Sequence, residues 1–331
     1  MGNSDSGQWK KEFVRFLEKS TLGNDLAERA FELKSAHLPA RVFRYRRDSD
    51  HSRDNLQNDT LWLCSPNDYN DPFDCVTKIS LGRVESALVR GLIRRFFITH
   101  FRLTELDPLP TRFEPLIGES KESYLRRVVA SYKGFVPALP PNFESILHRL
   151  VAELPSIAAE AKQKSNMFRE LTKACSFSER NDSILMWSHY AENHQGFCVE
   201  YDFSTIPDTH QFKKTLMPIV YSKKLYDSTP LIEAWIEMPR PRFNPFFPLL
   251  PFIHKAEDWS YEREWRLLFV SYESAPNHAW PAPTPSKVFL GARMSDLAKA
   301  RIRDAISGKP IEVYQMRMAD GSFTLISERI S

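Results

Sequence analysis

The sequence predicts an α+β fold whose core is a mixed or split antiparallel β-sheet. Three observations lead to this prediction. Segments that alternate apolar and polar residues, such as RVFRYR and GFCVEYDF, are typical of half-buried strands. Segments with apolar residues three and four positions apart indicate helices. The dipeptide Asp320-Gly321 lies between two strand-like segments and indicates a hairpin.

Residues 1–40 are predicted to form an N-terminal helical cap. Apolar residues recur at helical spacing on both sides of Gly23, which indicates two short helices. Residues 41–331 are predicted to form a single α+β domain of catalytic type. Within it, residues 81–173 are interpreted as a helical insertion that shapes a cleft. Basic residues of the insertion form either a solvated face or a phosphate-contacting face, among them Arg94, Arg95, Arg126 and Arg127.

The first strand of the predicted domain is RVFRYR, at residues 41–46. Its apolar members Val42, Phe43 and Tyr45 favour a strand. Because side chains alternate between the two faces of a strand, Arg44 and Arg46 are expected on the same face.

The segment LWLCSPNDYNDPFDC, at residues 61–75, is predicted to be a strand followed by a turn rich in Asn, Asp and Pro. Such side chains bond backbone groups in turns, so one interpretation is a structural corner. The other interpretation is that Asn70, Asp71 and Asp74 are site residues or hold a cation. The sequence leaves both interpretations open.

Residues 175–201, CSFSERNDSILMWSHYAENHQGFCVEY, are rich in reactive side chains. They are predicted to form a strand, a helix over residues 183–191 and a second strand. Helical spacing places Trp187, Tyr190 and His194 on one face and directs His189 elsewhere. Gly196 is expected to end the helix because glycine tolerates a positive φ. Polar groups between two strands and a helix predict a site with rigid walls.

The segment EREWRLLFV begins a predicted strand with two carboxylates, Glu262 and Glu264, on one face. Like charges this close raise the pKa of one carboxylate, which costs stability. Cations such as Arg266 or Lys255 would offset that cost. The alternative interpretation is a surface ladder of alternating Glu and Arg residues.

Composition excludes several classes of protein. Hydrophobic residues make up 42% of the chain, and the net charge of +3 is too small to indicate nucleic-acid binding by bulk electrostatics. No apolar run reaches about eighteen residues and the N-terminus has no secretory pattern, so no membrane contact is expected. The four cysteines form no CxxC pair and lie in or beside apolar segments. This indicates buried free thiols and a cytoplasmic location.

Several of these segments together resemble a widespread microbial family known as domain of unknown function 2971. The matching motifs occur in order between residues 41 and 291: FRYR, LWLCSPNDYNDPFD, CSFSE, LMWSHYAENHQGFCVEYD, YEREWRLL and VFLG. The resemblance to this family implies no activity.

A looser resemblance does imply an activity. One class of ADP-ribosyltransferases has an Arg on its first core strand, then a Phe-Ser-Thr-Ser strand, then a Glu-x-Glu pair opening a later strand. Similar residues occur here in the same order: Arg44 or Arg46, Phe177 and Ser178, and Glu262 and Glu264. Glu179 stands where the pattern has threonine. The resemblance implies an ADP-ribosyltransferase-like arrangement of the sheet, with NAD as substrate.

The resemblance also implies roles for these residues. Cleavage of the nicotinamide–ribose bond builds positive charge on the ribose, as in glycoside cleavage, and Glu264 would stabilise it. Glu262 would orient or deprotonate the acceptor. Arg46, in preference to Arg44, would clamp the pyrophosphate in a bidentate way. Ser178 would hydrogen-bond the nicotinamide ribose.

The intervening helix adds further candidates. Tyr190 or Trp187 would stack on the nicotinamide. His189, counted with the cofactor-binding residues, and His194 either pack within the helix region or support the two glutamates. The prediction is therefore an NAD-consuming ADP-ribosyltransferase of toxin or defence type that modifies a protein or a nucleic acid. A protein of this type could have a partner protein that neutralises it.

Two other classes of protein stay open. A metal-dependent hydrolase or nuclease would use a set of polar residues: His189, His194, Asp71, Asp74 and Glu264. Histidines five residues apart diverge on a helix, so no metal ligand is assigned. A non-catalytic binding or sensor module would hold a ligand in the charged site and would tolerate Glu264→Gln.

Overall fold

The computed structural model describes residues 7–21, 23–101, 169–237, 244–270 and 277–330, together with scattered positions between 118 and 163. The side chains of residues 92–101 are outside this description. The strands, in chain order, are β1 (Arg41–Arg46), β2 (Thr60–Leu63), β3 (Thr77–Lys78), β4 (Thr172–Ser178), β5 (Phe197–Asp202), β6 (Leu216–Pro218), β7 (Val220–Ser222), β8 (Tyr226–Asp227), β9 (His254–Ala256), β10 (Glu264–Val270), β11 (His278–Pro281), β12 (Lys287–Leu290), β13 (Glu312–Met318) and β14 (Leu325–Arg329).

Eight of these strands form the central sheet, in the order β14-β13-β12-β5-β1-β4-β10-β6. Neighbouring strands are antiparallel except for β12 and β13, which are parallel. Three further strand pairs, β2–β11, β3–β8 and β7–β9, lie outside this sheet. The structure thus confirms a mixture of helices with a mixed, mostly antiparallel sheet.

The described helices are α1 (Gln8–Lys19), α2 (Leu26–Ala36), α3 (Asp50–Gln57), α4 (Leu81–Phe101), α5 (Ile184–Tyr190), α6 (Gln211–Thr215), α7 (Thr229–Glu237) and α8 (Asp296–Ala305). None of them is both long and apolar enough to cross a membrane. All four cysteines are free and three of them are buried, as their apolar surroundings in the sequence predict.

Helices α1 and α2 occupy the residues predicted to form the N-terminal cap. Phe13 and Leu17 lie four positions apart on α1 and are buried, as is Ala30 on α2. These side chains share one apolar cluster with Ile219 and with Leu268 of β10. The two helices are therefore packed against the edge of the sheet that holds β10 and β6.

Helix α4 begins the predicted helical insertion. Its residues Val84 and Ala87 are buried against Ile236 of α7. Most of residues 102–168 lie outside the described part of the chain, as do the side chains of Arg94 and Arg95. Of the basic residues singled out in the sequence, Arg127 is bound to Glu119 at 2.8 Å.

Side chains on the two faces of the central sheet belong to two different apolar clusters. Val42 of β1 belongs to the larger cluster, with Phe177, Val199 and Trp265. Its neighbour Phe43 belongs to the other cluster, with Tyr45, Trp187 and Cys198. This alternation is the period of two that the sequence of β1 predicts.

Strands β1 and β4 are neighbours in the sheet, but almost none of their residues are paired with each other. β1 pairs with β5 along its whole length but with β4 only where Phe43 lies opposite Ser178. β4 pairs fully with β10, from Ser178 opposite Glu264 to Thr172 opposite Val270. The sheet is therefore open between β1 and β4 on one side of the Phe43–Ser178 pair.

Helix α5 ends by a different mechanism from the one predicted. The helix stops at Tyr190, and residues 192–194 adopt left-handed backbone conformations with φ of 52°, 55° and 68°. Gly196 does not have a positive φ. Instead, a Cβ at this position would lie 2.1 Å from the carbonyl oxygen of Arg46. Glycine is required there because β5 approaches β1 too closely for any side chain.

Candidate functional site between strands β1 and β4

A cavity of about 530 Å³ opens where β1 and β4 separate. Its walls come from β1, the start of α3, β2 and the following turn, β4, α5 and the start of β10. This volume lies within the range of small-molecule and cofactor pockets. The site residues predicted from sequence that line it are Arg44, Arg46, Ser178, Tyr190, Glu262 and Glu264. His189 is not among the lining residues.

Arg44 and Arg46 contribute two positive charges to the wall formed by β1. The Arg44 guanidinium donates to the Trp62 carbonyl oxygen at 3.3 Å and contacts the sulfur of Cys175. Arg46 reaches the side-chain oxygen of Asn55 at 3.5 Å. Burial lowers the pKa of both guanidinium groups, and the charge of Arg44 helps lower the pKa of Arg46 to about 9.

Neither arginine is paired with a carboxylate in the part of the chain that the structure describes. Positive charges that are removed from water and held close together without a counter-charge are costly to a folded protein. An anionic ligand would relieve that cost, and guanidinium groups bind phosphate through two parallel hydrogen bonds. The β1 wall is therefore suited to an anion such as a phosphate or pyrophosphate group.

Five buried charged side chains form a cluster on the side of β4 that faces β10. The ammonium group of Lys255 bonds Glu262 at 2.5 Å and Glu264 at 2.9 Å. The guanidinium of Arg266 bonds Glu264 at 2.8 Å and Asp74 at 3.0 Å. Both cations named from the sequence as possible offsets thus contact the acidic pair. The alternative of a surface Glu–Arg ladder is wrong, because Glu262, Glu264 and Arg266 are all buried.

The charges of this cluster do not balance, because three carboxylates face two cations. Burial, and then the charge of Glu264, raise the pKa of Glu262. Burial also acts to raise the pKa of Glu264, but Arg266 and Lys255 outweigh it and lower that pKa from 4.5 to about 2. Glu264 therefore stays ionised, whereas Glu262 is the carboxyl group able to exchange a proton.

These opposite pKa shifts predict opposite effects of pH on stability. A carboxylate with a lowered folded pKa contributes stability above its unfolded pKa and loses it as pH falls through the folded value. The difference in unfolding free energy between wild type and Glu264→Gln should be largest above pH 4.5 and shrink as pH falls towards 2. Urea unfolding across this range measures that difference.

Glu262→Gln provides the matched comparison for this prediction. A raised folded pKa gives stability that is present at low pH and lost as pH rises through the folded value. The difference between wild type and Glu262→Gln should therefore decrease as pH rises. If both variants showed the same pH trend, the assignment of the permanent charge to Glu264 would be wrong.

Ser178 lies in the cavity wall, but both of its hydrogen-bonding functions are occupied. Its hydroxyl donates to the backbone carbonyl of Glu262 at 2.6 Å and accepts from the backbone N–H of Arg180 at 3.1 Å. Ser178 therefore anchors the segment that carries Glu262. Ser176, two residues earlier on the same face, is exposed, lines the cavity and hydrogen-bonds Glu264. The period of two along β4 could have identified Ser176 from the sequence.

The candidate site residues on and just after α5 lie in different environments. Tyr190 donates its hydroxyl to a side-chain oxygen of Glu262 at 2.7 Å, and burial followed by the charge of Glu262 raises its pKa. Trp187 is fully buried in the core. His194 stacks on Trp187 and hydrogen-bonds Ser188 at 3.2 Å. His189 is exposed, with its ring beside that of Trp259.

The turn after β2 is both a corner and part of the site. Asp71 accepts a hydrogen bond from the Trp259 indole at 2.7 Å, which joins the turn to the segment before β10. Asp74 belongs to the buried cluster through Arg266. Asn70 lines the cavity. Across the described residues, no group of three or more His, Cys, Asp or Glu side chains is placed to hold a metal ion.

Sequence reasoning did not single out three aromatic residues of the cavity wall. Tyr69 lies between Pro66 and Pro72 of the turn, and its hydroxyl is buried without a hydrogen-bond partner among the described residues. Trp62 and His51 also line the cavity, with their rings perpendicular and their centroids 4.4 Å apart. Aromatic residues in a sequence indicate a core more often than a site, so no local pattern distinguishes these three.

The fold and the cavity define a class of mixed α/β protein with a cavity lined by charged residues between two separated strands of its main sheet. The profile of the family described as "Protein of unknown function (DUF2971)" matches residues 186–267. This match confirms the resemblance to that family, and it includes Tyr190, Glu262 and Glu264. No curated protein gives a significant match to the chain. No solved structure does so either.

Proposed function

We propose that the chain cleaves the nicotinamide–ribose bond of NAD and transfers ADP-ribose to a macromolecular acceptor, a protein or a nucleic acid. The observation that carries this proposal is the charge pattern of one cavity. Arg44 and Arg46 line it without a carboxylate partner among the residues that the structure describes, while Glu262 and Glu264 line it from the other side of β4. A dinucleotide has the matching pattern, with an anionic pyrophosphate between its ribose groups.

The carboxylates suit the chemistry of that bond. When the bond breaks, nicotinamide leaves with the electron pair and the ribose C1′ becomes positively charged, as in glycoside cleavage. Glu264 remains ionised, and the cluster around it has one excess negative charge. A fixed negative charge beside developing positive charge stabilises the transition state without reorganisation. Glu264 is thus assigned to the ribose.

Glu262 is assigned to the acceptor. The nucleophile of the acceptor attacks C1′ and must release a proton as the new bond forms. The raised pKa of Glu262 makes its carboxylate a stronger base than an ordinary glutamate. Its hydrogen bond from Tyr190 sets the position of the carboxyl group. Proton transfer to Glu262 balances the reaction, because nicotinamide leaves as a neutral molecule.

The opening between β1 and β4 also supports an ADP-ribosyltransferase-like arrangement. Strands that separate after a single residue pair, Phe43 opposite Ser178, leave room for a ligand between them. The order of the motifs in the chain, first Arg46, then Ser178, then Glu264, agrees with this arrangement. In this proposal Arg46 binds the pyrophosphate, with Arg44 beside it.

The test is release of nicotinamide from NAD by the purified chain, with transfer of label from adenylate-labelled NAD to protein, DNA or RNA acceptors. We expect Arg46→Lys to raise KM for NAD about tenfold while kcat changes little, because lysine cannot make the bidentate contact. Arg41→Lys is the matched control, since Arg41 lies on the same strand but is exposed and bound to Asp202.

Two results would contradict the proposed function. The first is no nicotinamide release with any of the three classes of acceptor. The second is equal KM values for Arg46→Lys and Arg41→Lys. Binding of NAD without its cleavage would instead favour the binding or sensor module.

A further inference from the structure

An aromatic pair lies beside the two arginines of the cavity. His51 belongs to α3 and Trp62 to β2, and both line the same cavity as Arg44 and Arg46. The Trp62 backbone carbonyl accepts from the Arg44 guanidinium at 3.3 Å, so the indole is attached close to the positive charges. Burial, and then the charge of Arg46, lower the pKa of His51.

The geometry of the pair leaves an aromatic face available. The two rings are perpendicular, with an interplanar angle of 86° and centroids 4.4 Å apart. The imidazole of His51 can cover at most one face of the Trp62 indole. Trp62 is half-buried and His51 is exposed, so neither ring is enclosed in the core. Nucleobases stack on aromatic side chains of this kind, whatever their sequence, because every base has a π-face.

We propose that Trp62 and His51 form the base-binding end of the cavity and that they hold the adenine of the dinucleotide. The proposal rests on the proposed function for the presence of a dinucleotide in the cavity. It adds the orientation of that ligand. Adenine lies at Trp62, the pyrophosphate lies at Arg44 and Arg46, and the nicotinamide riboside lies at Glu264.

Tyr69 is a further aromatic residue of this cavity wall. Its hydroxyl is buried, and it has no hydrogen-bond partner among the described residues. Its ring packs against the guanidinium of Arg266 at 5.3 Å, which places Tyr69 near the carboxylate cluster. A ligand that reaches from the arginines to Glu264 would pass the side chain of Tyr69.

The test is calorimetric titration of the full chain with ADP and, separately, with inorganic pyrophosphate. Stacking contributes enough that ADP should bind about tenfold or more tightly than pyrophosphate. Trp62→Leu should weaken ADP binding about tenfold and leave pyrophosphate binding unchanged. Trp62→Phe should keep most of the affinity for ADP, because phenylalanine retains an aromatic face. Trp235→Leu is the matched control, since Trp235 is 56% exposed on α7 and does not line the cavity.

Four results would overturn the inference: no binding of ADP, NAD cleavage that Trp62→Leu leaves unchanged, equal affinity for ADP and pyrophosphate, or equal weakening of both ligands by Trp62→Leu. The last result would mean that Trp62 acts only by holding Arg44. These failures are distinct from failure of the proposed function. If ADP binding depended on Trp62 but no nicotinamide were released from NAD, the base site would be supported and the proposed transferase activity would be rejected. If Trp62→Leu left NAD cleavage unchanged, the transferase activity would be supported and the base site would be rejected.

Discussion

Replacement of Glu264 by glutamine is expected to slow nicotinamide release from NAD by about 10²–10³-fold. Glutamine keeps the shape of the side chain but removes the negative charge that would stabilise the ribose C1′. The effect should fall on kcat, because the charge on the ribose develops only in the transition state. Steady-state kinetics of nicotinamide release measure it, with binding of ADP-ribose as the check that the cavity remains formed.

Glu200→Gln is the matched control for that experiment. Glu200 is also a buried glutamate of the central sheet, and it is bound to Lys287 at 3.3 Å and to Ser286 at 2.9 Å. It does not line the cavity. Glu200→Gln should therefore affect stability without a specific loss of kcat. Equal losses of kcat in the two variants would show that the effect of Glu264→Gln reflects a general disturbance of the sheet.

Replacement of Arg266 by methionine is expected to lower the free energy of unfolding by about 3–5 kcal/mol. The Arg266 side chain is 0% exposed and bonds Asp74, Glu264 and the carbonyl oxygen of Phe252. Without it, three buried carboxylates would face the single ammonium group of Lys255. Urea unfolding at neutral pH measures the loss.

A surface pair and a double variant make this stability prediction specific. Arg317→Met removes an arginine of β13 whose bridge to Glu328 is exposed, and it should cost less than about 1 kcal/mol. The double variant Asp74→Asn, Arg266→Met removes one charge of each sign and should recover part of the loss. If the double variant were no more stable than Arg266→Met alone, the buried charge imbalance would not be the cause.

The acidic pair illustrates how far the sequence could be interpreted. The period of two, the spacing of Glu262 and Glu264 and the need for Lys255 or Arg266 as counter-charges follow from local patterns and from electrostatics. The structure bears out those counter-charges. The strand, however, starts at Glu264, because Arg263 has a left-handed conformation with φ of 46°. That conformation depends on packing which no local pattern reveals.

Other site residues depend on partners that are distant in the chain. The hydroxyl of Ser178 is bound to the carbonyl of Glu262, 84 positions later. The sequence identified the serine as polar and placed it on a strand, but it could not show that the hydroxyl was already occupied. Tyr69 and Trp62 were missed for a similar reason. An aromatic side chain in a core and one in a cavity wall have the same local pattern, and only their neighbours differ.

By itself, the sequence determined several of the strands and helices, among them β1, β4, β5, β10 and the helices of the N-terminal cap, which of their residues share a face, and that four isolated cysteines stay unpaired. These properties follow from the periods of side-chain placement along a chain and from residue spacing. Only the tertiary structure decided that β1 and β4 meet at Phe43 and Ser178 and then separate. The separation depends on the packing of strands more than 100 residues apart, and it brings two arginines and a buried acidic cluster into one cavity.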